Sequence, residues 1–131
     1  MRLARFGDNR LGLVEGYVLR DITQVTEKLP QVRWPLPTGD QFIANLDRLR
    51  RPIKNAADAS ARIPVTETRL LSPVANPPRI IAAGRPGFVL RSPTSVLGAC
   101  EWDKLSLADN RAACEMSLAV VVGVKAENVS A

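Results

Sequence analysis

An α+β fold is predicted for this chain of 131 residues: a small antiparallel meander with a helix, followed by a β-rich region. Short apolar runs separated by turn-forming residues open the sequence, and a segment with helical periodicity follows Asp40. After residue 63, short apolar runs return and are broken by Pro, Gly and Ser. We therefore expect two units, residues 1–63 and residues 64–131.

The N-terminal meander is predicted from its turns. The runs RLARF and LGLVEG flank the turn-forming cluster GDNR, so residues 2–15 are expected to form a hairpin. After Gly16, the run YVLRDIT predicts a third short strand. Residues 28–39 contain three prolines and one glycine, which excludes regular structure over most of this segment. Trp34 in this loop is expected to pack on the core.

The helix is expected to begin after Asp40, whose carboxylate can cap it. Pro52 is expected to kink or interrupt it, which predicts one helix over 41–50 and a second helical segment over 53–61. The apolar residues at helical spacing are Phe42, Ile43, Leu46 and Leu49. The predicted core of the first unit consists of Leu3, Leu13, Val18, Ile22, Phe42, Ile43 and Leu46.

The stretch ACEMSLAVVVG, residues 113–123, is predicted to be a buried strand with one carboxylate where the apolar run begins. Because successive side chains of a strand point to opposite faces, Glu115 shares a face with Ser117. Two carboxylates at these positions would clamp a hard divalent cation, whereas a serine supplies only a neutral hydroxyl. The sequence thus contains half of a metal clamp.

Composition restricts the possible functions. The net charge is +5, but the densest basic patch, DRLRRPIK at 47–54, has no interleaved aromatic residues, so nucleic-acid binding is not expected. The longest apolar run, LAVVVGV at 118–124, is too short to cross a bilayer, so no membrane partner is expected. The sequence contains no histidine, which excludes His-based triads, His metal ligands and a histidine general base within this chain.

The two cysteines, Cys100 and Cys114, follow no metal-ligand or redox spacing. The sequence shows no secretory signal segment before its first strand-like residues. A cytoplasmic protein with free thiols is therefore expected.

Three motifs occur in the order found in a known family: LLSPVANPPRIIAAG at 70–84, FVLRSPTSVLG at 88–98 and CEMSLAVVVGVKAENVSA at 114–131. Through these motifs the chain resembles the fumarylacetoacetate hydrolase family over essentially its whole length. The resemblance implies a small N-terminal domain followed by the start of a mixed β-roll. It also implies a divalent metal, usually Mg²⁺, that chelates a 2-oxo or 1,3-dicarbonyl acid and stabilises the enolate formed during hydrolysis, decarboxylation or isomerisation.

The resemblance assigns roles to two residues of this chain. Glu115 matches the first of two metal-binding glutamates, and Ser117 stands where the second would be. Arg91, in VLRSP, stands at the position of a substrate-binding lysine. Two alternatives stay open: Glu115 as a strand-end carboxylate that reaches water or pairs with an arginine, and Arg91 as a surface or interface cation.

No catalytic residue is assigned, because RPG at 85–87 directly follows IIAAG where the family carries a histidine and a glutamate on a lid. These departures predict a truncated and degenerate member in which the family chemistry is weak or absent. Three classes follow: a non-catalytic subunit that pairs with a complete relative, a gene remnant, or an active hydrolase or isomerase that completes its site from a partner chain. The apolar residues on both faces of the 113–123 strand predict a homo-oligomer or a complex with a complete family paralogue.

Overall fold

A computed structural model describes residues 1–84, 87–101, 116–127 and 129–130. The chain opens with three antiparallel strands, β1 (Arg2–Phe6), β2 (Arg10–Glu15) and β3 (Val18–Asp21). A fourth strand, β4 (Arg62–Pro64), pairs antiparallel with β3 and completes a sheet of order β1-β2-β3-β4. The predicted three-stranded meander is confirmed. The fourth strand of its sheet follows the helical segment in the sequence.

Both turns of the meander use left-handed backbone conformations. Gly7 and Asn9, between β1 and β2, have φ values of 50° and 60°. Gly16, between β2 and β3, has a φ of 63°. Glycine and asparagine adopt this region with the least steric cost, which explains why GDNR and EGY turn the chain here.

Helical structure begins with a 3₁₀ helix at Thr23–Lys28. Residues 29–39 form the predicted irregular loop, but Trp34 is 88% exposed, so the expectation that it packs on the core is wrong. Between its flanking prolines the indole extends into solvent. Asp40 caps the next helix as predicted, since its Oδ1 accepts hydrogen bonds from the backbone N–H of Phe42 and of Ile43.

Two α-helices follow, α1 (Gln41–Ala44) and α2 (Leu46–Ala59). The break lies at Asn45, not at Pro52 as predicted. The Asn45 side chain donates to the Gln41 carbonyl at 2.8 Å and closes the first helix. α2 continues through Pro52 because its buried residues lie on both sides of the proline, with Leu49 before it and Ile53 after it.

The main core lies between the sheet and the helical segment. Its buried cluster consists of Leu11, Ile22, Val25, Phe42, Leu49, Ile53, Ala56 and Ala57. Of the predicted core residues, Ile22 and Phe42 are buried, Leu3, Leu13, Ile43 and Leu46 are partly buried against the cluster, and Val18 is half-buried. Arg20 of β3 donates to the carbonyls of Ala57 and Ser60 and so satisfies the end of α2.

The second region contains a hairpin of β5 (Ile80–Gly84) and β6 (Gly87–Arg91), followed by a 3₁₀ turn at Pro93–Ser95. Residues 116–127 carry neither helix nor strand, and 116–122 are exposed. For these residues the predicted buried strand is wrong, because no described segment pairs with their backbone. No helix in the described ranges is long and apolar enough to cross a membrane.

Backbone contacts join the segment before β5 to the N-terminal sheet. The amide of Gly7 donates to the carbonyl of Arg69, and the amide of Leu71 donates to the carbonyl of Arg5, both at 2.9 Å. A bridge between Phe6 and Leu70 lies between these bonds. Sequence beyond residue 63 therefore contacts the first sheet directly, and the boundary near residue 63 stays a prediction.

Candidate functional site

The predicted substrate-binding residue, Arg91, lies at the end of β6 and is exposed. It is the partner of Ile80 in the β5–β6 ladder, so both residues lie on the same face of the hairpin. Within the described part of the chain, Arg91 forms no ion pair. An exposed guanidinium at this position can bind an anion that approaches this face.

The predicted metal residue, Glu115, lies outside the described residues. Ser117 is described, and it is exposed together with its neighbours Met116 and Leu118. The strand face expected to carry Glu115 and Ser117 is thus not formed from residue 116 onward. Neither Ser117 nor Arg91 lines the cleft around Arg5 or the cleft beside Lys28 and Arg51.

A divalent cation of the family type requires several oxygen ligands at one point. Across residues 1–84, 87–101, 116–127 and 129–130, no group of three or more Asp, Glu or Cys side chains could hold a metal ion. The described residues therefore do not by themselves fit the metal that the family uses.

A cleft of about 420 Å³ lies between the β1–β2 turn and the segments on either side of the β5–β6 hairpin. The Arg5 guanidinium lies in this cleft and donates to the carbonyl of Ser72 at 3.1 Å and to Asn9 Oδ1 at 2.6 Å. It also contacts the carbonyl of Val74 at 3.4 Å. Its donors are directed at fixed acceptors, which identifies Arg5 as a residue that holds residues 72–74 in place.

The opposite side of the cleft is fixed by Glu101. Its Oε2 accepts hydrogen bonds from the amide of Gly98 at 2.6 Å and from the amide of Ser72 at 3.3 Å. The backbones at Gly98 and Leu71 also approach closely, since a Cβ on residue 98 would lie 2.2 Å from the carbonyl carbon of Leu71. Glycine, which has no Cβ, allows this approach. The segments before β5 and after β6 are therefore joined at their base by one carboxylate.

Asp40 makes a third attachment to the segment before β5. While its Oδ1 caps α1, its Oδ2 accepts a hydrogen bond from the amide of Ala75 at 2.7 Å. Arg5, Asp40 and Glu101 thus anchor residues 72–75 to the sheet, to α1 and to the turn after residue 98. Sequence reasoning assigned no role to Arg5 or Glu101, because isolated charged residues outside a periodic pattern carry no local signal of their partners.

No protein-family model matches the chain. Maleylpyruvate hydrolase of Aquipseudomonas alcaligenes is 35% identical to it over an alignment of 157 residues, which covers 98% of this chain and 55% of that enzyme. The chain therefore spans about half the length of the curated relative that it matches.

Solved structures give the same result. A maleylpyruvate hydrolase from Sphingobium sp. SYK-6, in complex with manganese(II) and pyruvate, is 34% identical to this chain with a TM-score of 0.59. The match covers 74% of this chain and 39% of the hydrolase. A second structure of maleylpyruvate hydrolase from the same organism is 35% identical, with a TM-score of 0.57. The α+β fold of the described chain agrees with part of this fold.

These relatives confirm the family that the motifs before and after the β5–β6 turn indicated. The Aquipseudomonas enzyme is 35% identical over 98% of this chain, and the two Sphingobium structures each match 74% of it. The chain is a homologue of the maleylpyruvate hydrolases, enzymes of the fumarylacetoacetate hydrolase family, and it matches about half of their length.

Proposed function

We propose that this chain is a subunit of the fumarylacetoacetate hydrolase family that does not catalyse the family reaction alone. The observation that carries the proposal is Ser117, an exposed hydroxyl at the position where the family resemblance places the second metal-binding glutamate. A single carboxylate at Glu115 leaves a hard divalent cation with too few strong oxygen ligands to displace its hydration water. The sequence also lacks histidine, so the family's acid–base pair has no counterpart here.

The solved hydrolase relative defines the reaction to be tested. It binds manganese(II) and pyruvate, and its name specifies maleylpyruvate as its substrate. In that chemistry the metal stabilises negative charge on the oxo-acid as the carbon–carbon bond breaks. We propose maleylpyruvate and related acylpyruvates as the substrate class of any complex that contains this chain, with Mn²⁺ or Mg²⁺ as the metal.

The direct test is an assay of the isolated chain with maleylpyruvate and either Mn²⁺ or Mg²⁺. The expected result is turnover equal to the background without protein. The variant Glu115→Ala is the control, because it removes the remaining family carboxylate. Metal-dependent turnover that is lost in Glu115→Ala would overturn the proposal.

Metal binding can be tested separately from turnover. Ser117→Glu adds a second carboxylate two residues from Glu115, at the position that the family resemblance gives to the second metal-binding glutamate, and should raise the affinity for Mn²⁺ in calorimetric titration by at least tenfold. Ala119→Glu adds the same charge outside that position and is the control for charge alone. Equal titration curves for the original chain and Ser117→Glu would contradict the pairing of residues 115 and 117.

Arg91 favours a second candidate function, in which a partner chain completes the site. It is an exposed cation on β6 at the family's substrate-binding position, and a guanidinium binds a carboxylate through two parallel hydrogen bonds. In a mixture with an active family hydrolase, Arg91→Ala should then raise the KM for maleylpyruvate without a matching loss of kcat. An unchanged KM would leave Arg91 as a surface cation.

The proposal includes partners and location. The partner is either a second copy or a complete paralogue of the family, and a cytoplasmic setting agrees with the exposed, unbridged thiol of Cys100.

A further inference from the structure

The cleft around Arg5 contains two opposite charges that do not pair with each other. Arg5 and Glu101 both line the cleft, and both are half-buried. Among the residues that the structure describes, neither side chain forms an ion pair, either with the other or with a third group. A ligand that brings the opposite charge to each of them would therefore form two charge-assisted hydrogen bonds.

The two charged groups bind the two ends of one residue. Arg5 Nη1 donates to the carbonyl of Ser72 at 3.1 Å, and Glu101 Oε2 accepts a hydrogen bond from the amide of Ser72 at 3.3 Å. The arginine and the glutamate are therefore separated by the length of one amino-acid unit. The carbonyl end of this unit lies on the arginine, and its amino end lies on the glutamate.

Each charged group has a further hydrogen-bonding atom. The bonds from Arg5 to described residues come from Nη1 and Nη2, and its Nε–H makes none within the described part of the chain. The bonds to Glu101 from the amides of Ser72 and Gly98 both end on Oε2, and Oε1 accepts none from a described residue. A guanidinium nitrogen is a donor and a carboxylate oxygen is an acceptor, so the cleft can bind a second unit in the same direction as Ser72.

The rest of the cleft is suited to a small organic molecule. Its volume of about 420 Å³ lies in the range of small-molecule sites, which combine apolar walls with a few polar groups. Asn9 and Thr94 add an amide and a hydroxyl to the lining. The apolar side chains that line the cleft include Val74, Pro77, Pro93 and Val96.

We propose that this cleft binds a free α-amino acid with an apolar side chain. Its carboxylate accepts a hydrogen bond from Nε–H of Arg5, its ammonium group donates to Oε1 of Glu101, and its side chain contacts the apolar walls. Such a zwitterion compensates both charges, whereas a simple acid or a simple amine compensates only one. The inference goes beyond the proposed function, because it requires neither Glu115 nor Arg91.

The test is an NMR titration of the full chain with L-valine, followed through the amide signals of Ser72 and Gly98. Two analogues separate the charges: isovalerate is valine without its amino group, and isobutylamine is valine without its carboxyl group. L-Valine should shift both signals and reach saturation. Each analogue should bind about tenfold more weakly, because it leaves one of the two charges uncompensated.

Two variants test the assigned contacts. Glu101→Gln keeps an oxygen for the amides of Ser72 and Gly98 but removes the negative charge, so it should weaken L-valine binding about tenfold without weakening isovalerate binding. Thr94→Trp adds an indole to the lining of the cleft and should abolish binding. Thr66→Trp is the matched control, because Thr66 is exposed and lies outside the cleft.

Three results would overturn the proposal. L-Valine that produces no saturable shift would show that the cleft takes no amino acid of this kind. Equal affinities for L-valine and isovalerate would show that the cleft binds a carboxylate alone. Binding that persists in Thr94→Trp would place the ligand outside the cleft. The comparison of the three ligands uses the original chain, so it decides the proposal even where a substitution unfolds the protein.

Discussion

The two hairpins of this chain have similar ladders and opposite surroundings. β1 pairs with β2 through five residue pairs, and β5 pairs with β6 through five residue pairs. The first hairpin is extended by two further strands and covered by α2, which buries Leu11 and Ile53. The second has no further strand among the described residues, and all of β6 is exposed. The two hairpins therefore have the same number of paired residues, and they differ in how far their side chains are buried.

This difference indicates which region contributes most of the free energy of unfolding. A ladder exchanges hydrogen bonds with water for hydrogen bonds within the protein, which contributes little net free energy. Burial of apolar side chains contributes most of it, and an isolated two-stranded hairpin is marginal in water. We therefore assign the free energy of unfolding mainly to the first sheet and its helices.

The largest expected effect comes from truncating one phenylalanine in each region. Phe42, on α1, is 8% exposed, so Phe42→Ala should lower the free energy of unfolding by about 3 to 5 kcal/mol. Phe88→Ala, on the exposed face of β6, should lower it by less than about 0.5 kcal/mol. Urea denaturation measured by circular dichroism gives both values. Equal losses would mean that the Phe88 side chain is buried in the isolated chain.

A smaller effect is expected from adding one methyl group in each region. Gly12 of β2 leaves room for the fully buried Leu19, and a Cβ there would lie 2.5 Å from Leu19 Cγ. Gly12→Ala should therefore cost about 1 to 3 kcal/mol through overpacking. Gly84→Ala is the matched control, since no atom of the residues that the structure describes lies within 4 Å of a Cβ at that position of β5. If Gly12→Ala were as mild as Gly84→Ala, Leu19 would have space to move.

Much of the first unit could be predicted from local signals. The turn residues predicted the meander. The Asp40 cap and the helical spacing of apolar residues predicted where the helical segment begins. Leu19 was missed because it lies on the sheet face opposite Leu13, and its burial depends on a glycine in the neighbouring strand. The helix break was misplaced because proline is a strong signal in sequence, whereas the bond from Asn45 to Gln41 appears only in the fold.

The candidate site could be predicted only as a family resemblance. The motifs identified the family, which the relatives confirm, but the buried strand that should present Glu115 and Ser117 is not formed over 116–123. A strand is defined by its neighbours, and sequence periodicity alone does not state whether those neighbours are in the same chain. Arg5 and Glu101 were missed for a related reason, because their partners lie 67 and 29 residues away.

Asp40 links the two regions, and its replacement should have an intermediate effect. Asp40→Ala removes the helix cap and the bond to Ala75, with an expected cost of about 1 to 2 kcal/mol. Asp40→Asn keeps an oxygen for the cap but loses the second acceptor, so it should cost about half as much. The exposed Asp47 is the control, and Asp47→Ala should cost less than about 0.5 kcal/mol. Equal costs for Ala and Asn would mean that the cap contributes nothing.

The smallest expected effect is a pH dependence confined to the first sheet. Burial raises the pKa of Asp21. The pKa is nevertheless lowered below its ordinary value, because the hydroxyl and the amide of Thr23 donate hydrogen bonds to the carboxylate and Arg10 adds a further hydrogen bond and a positive charge. A carboxyl with a lowered folded-state pKa stabilises the fold above its unfolded pKa of about 3.9 and loses this contribution as the pH falls through the folded value.

Between pH 7 and pH 3, the free energy of unfolding should thus fall less in Asp21→Asn than in the original chain, by about 1 kcal/mol or less. Arg10→Gln should give an intermediate slope, because it removes the charge and leaves the Thr23 bonds. Parallel pH profiles for all three proteins would show that this ion pair contributes nothing, and the acid sensitivity of the chain would then have to come from other carboxylates.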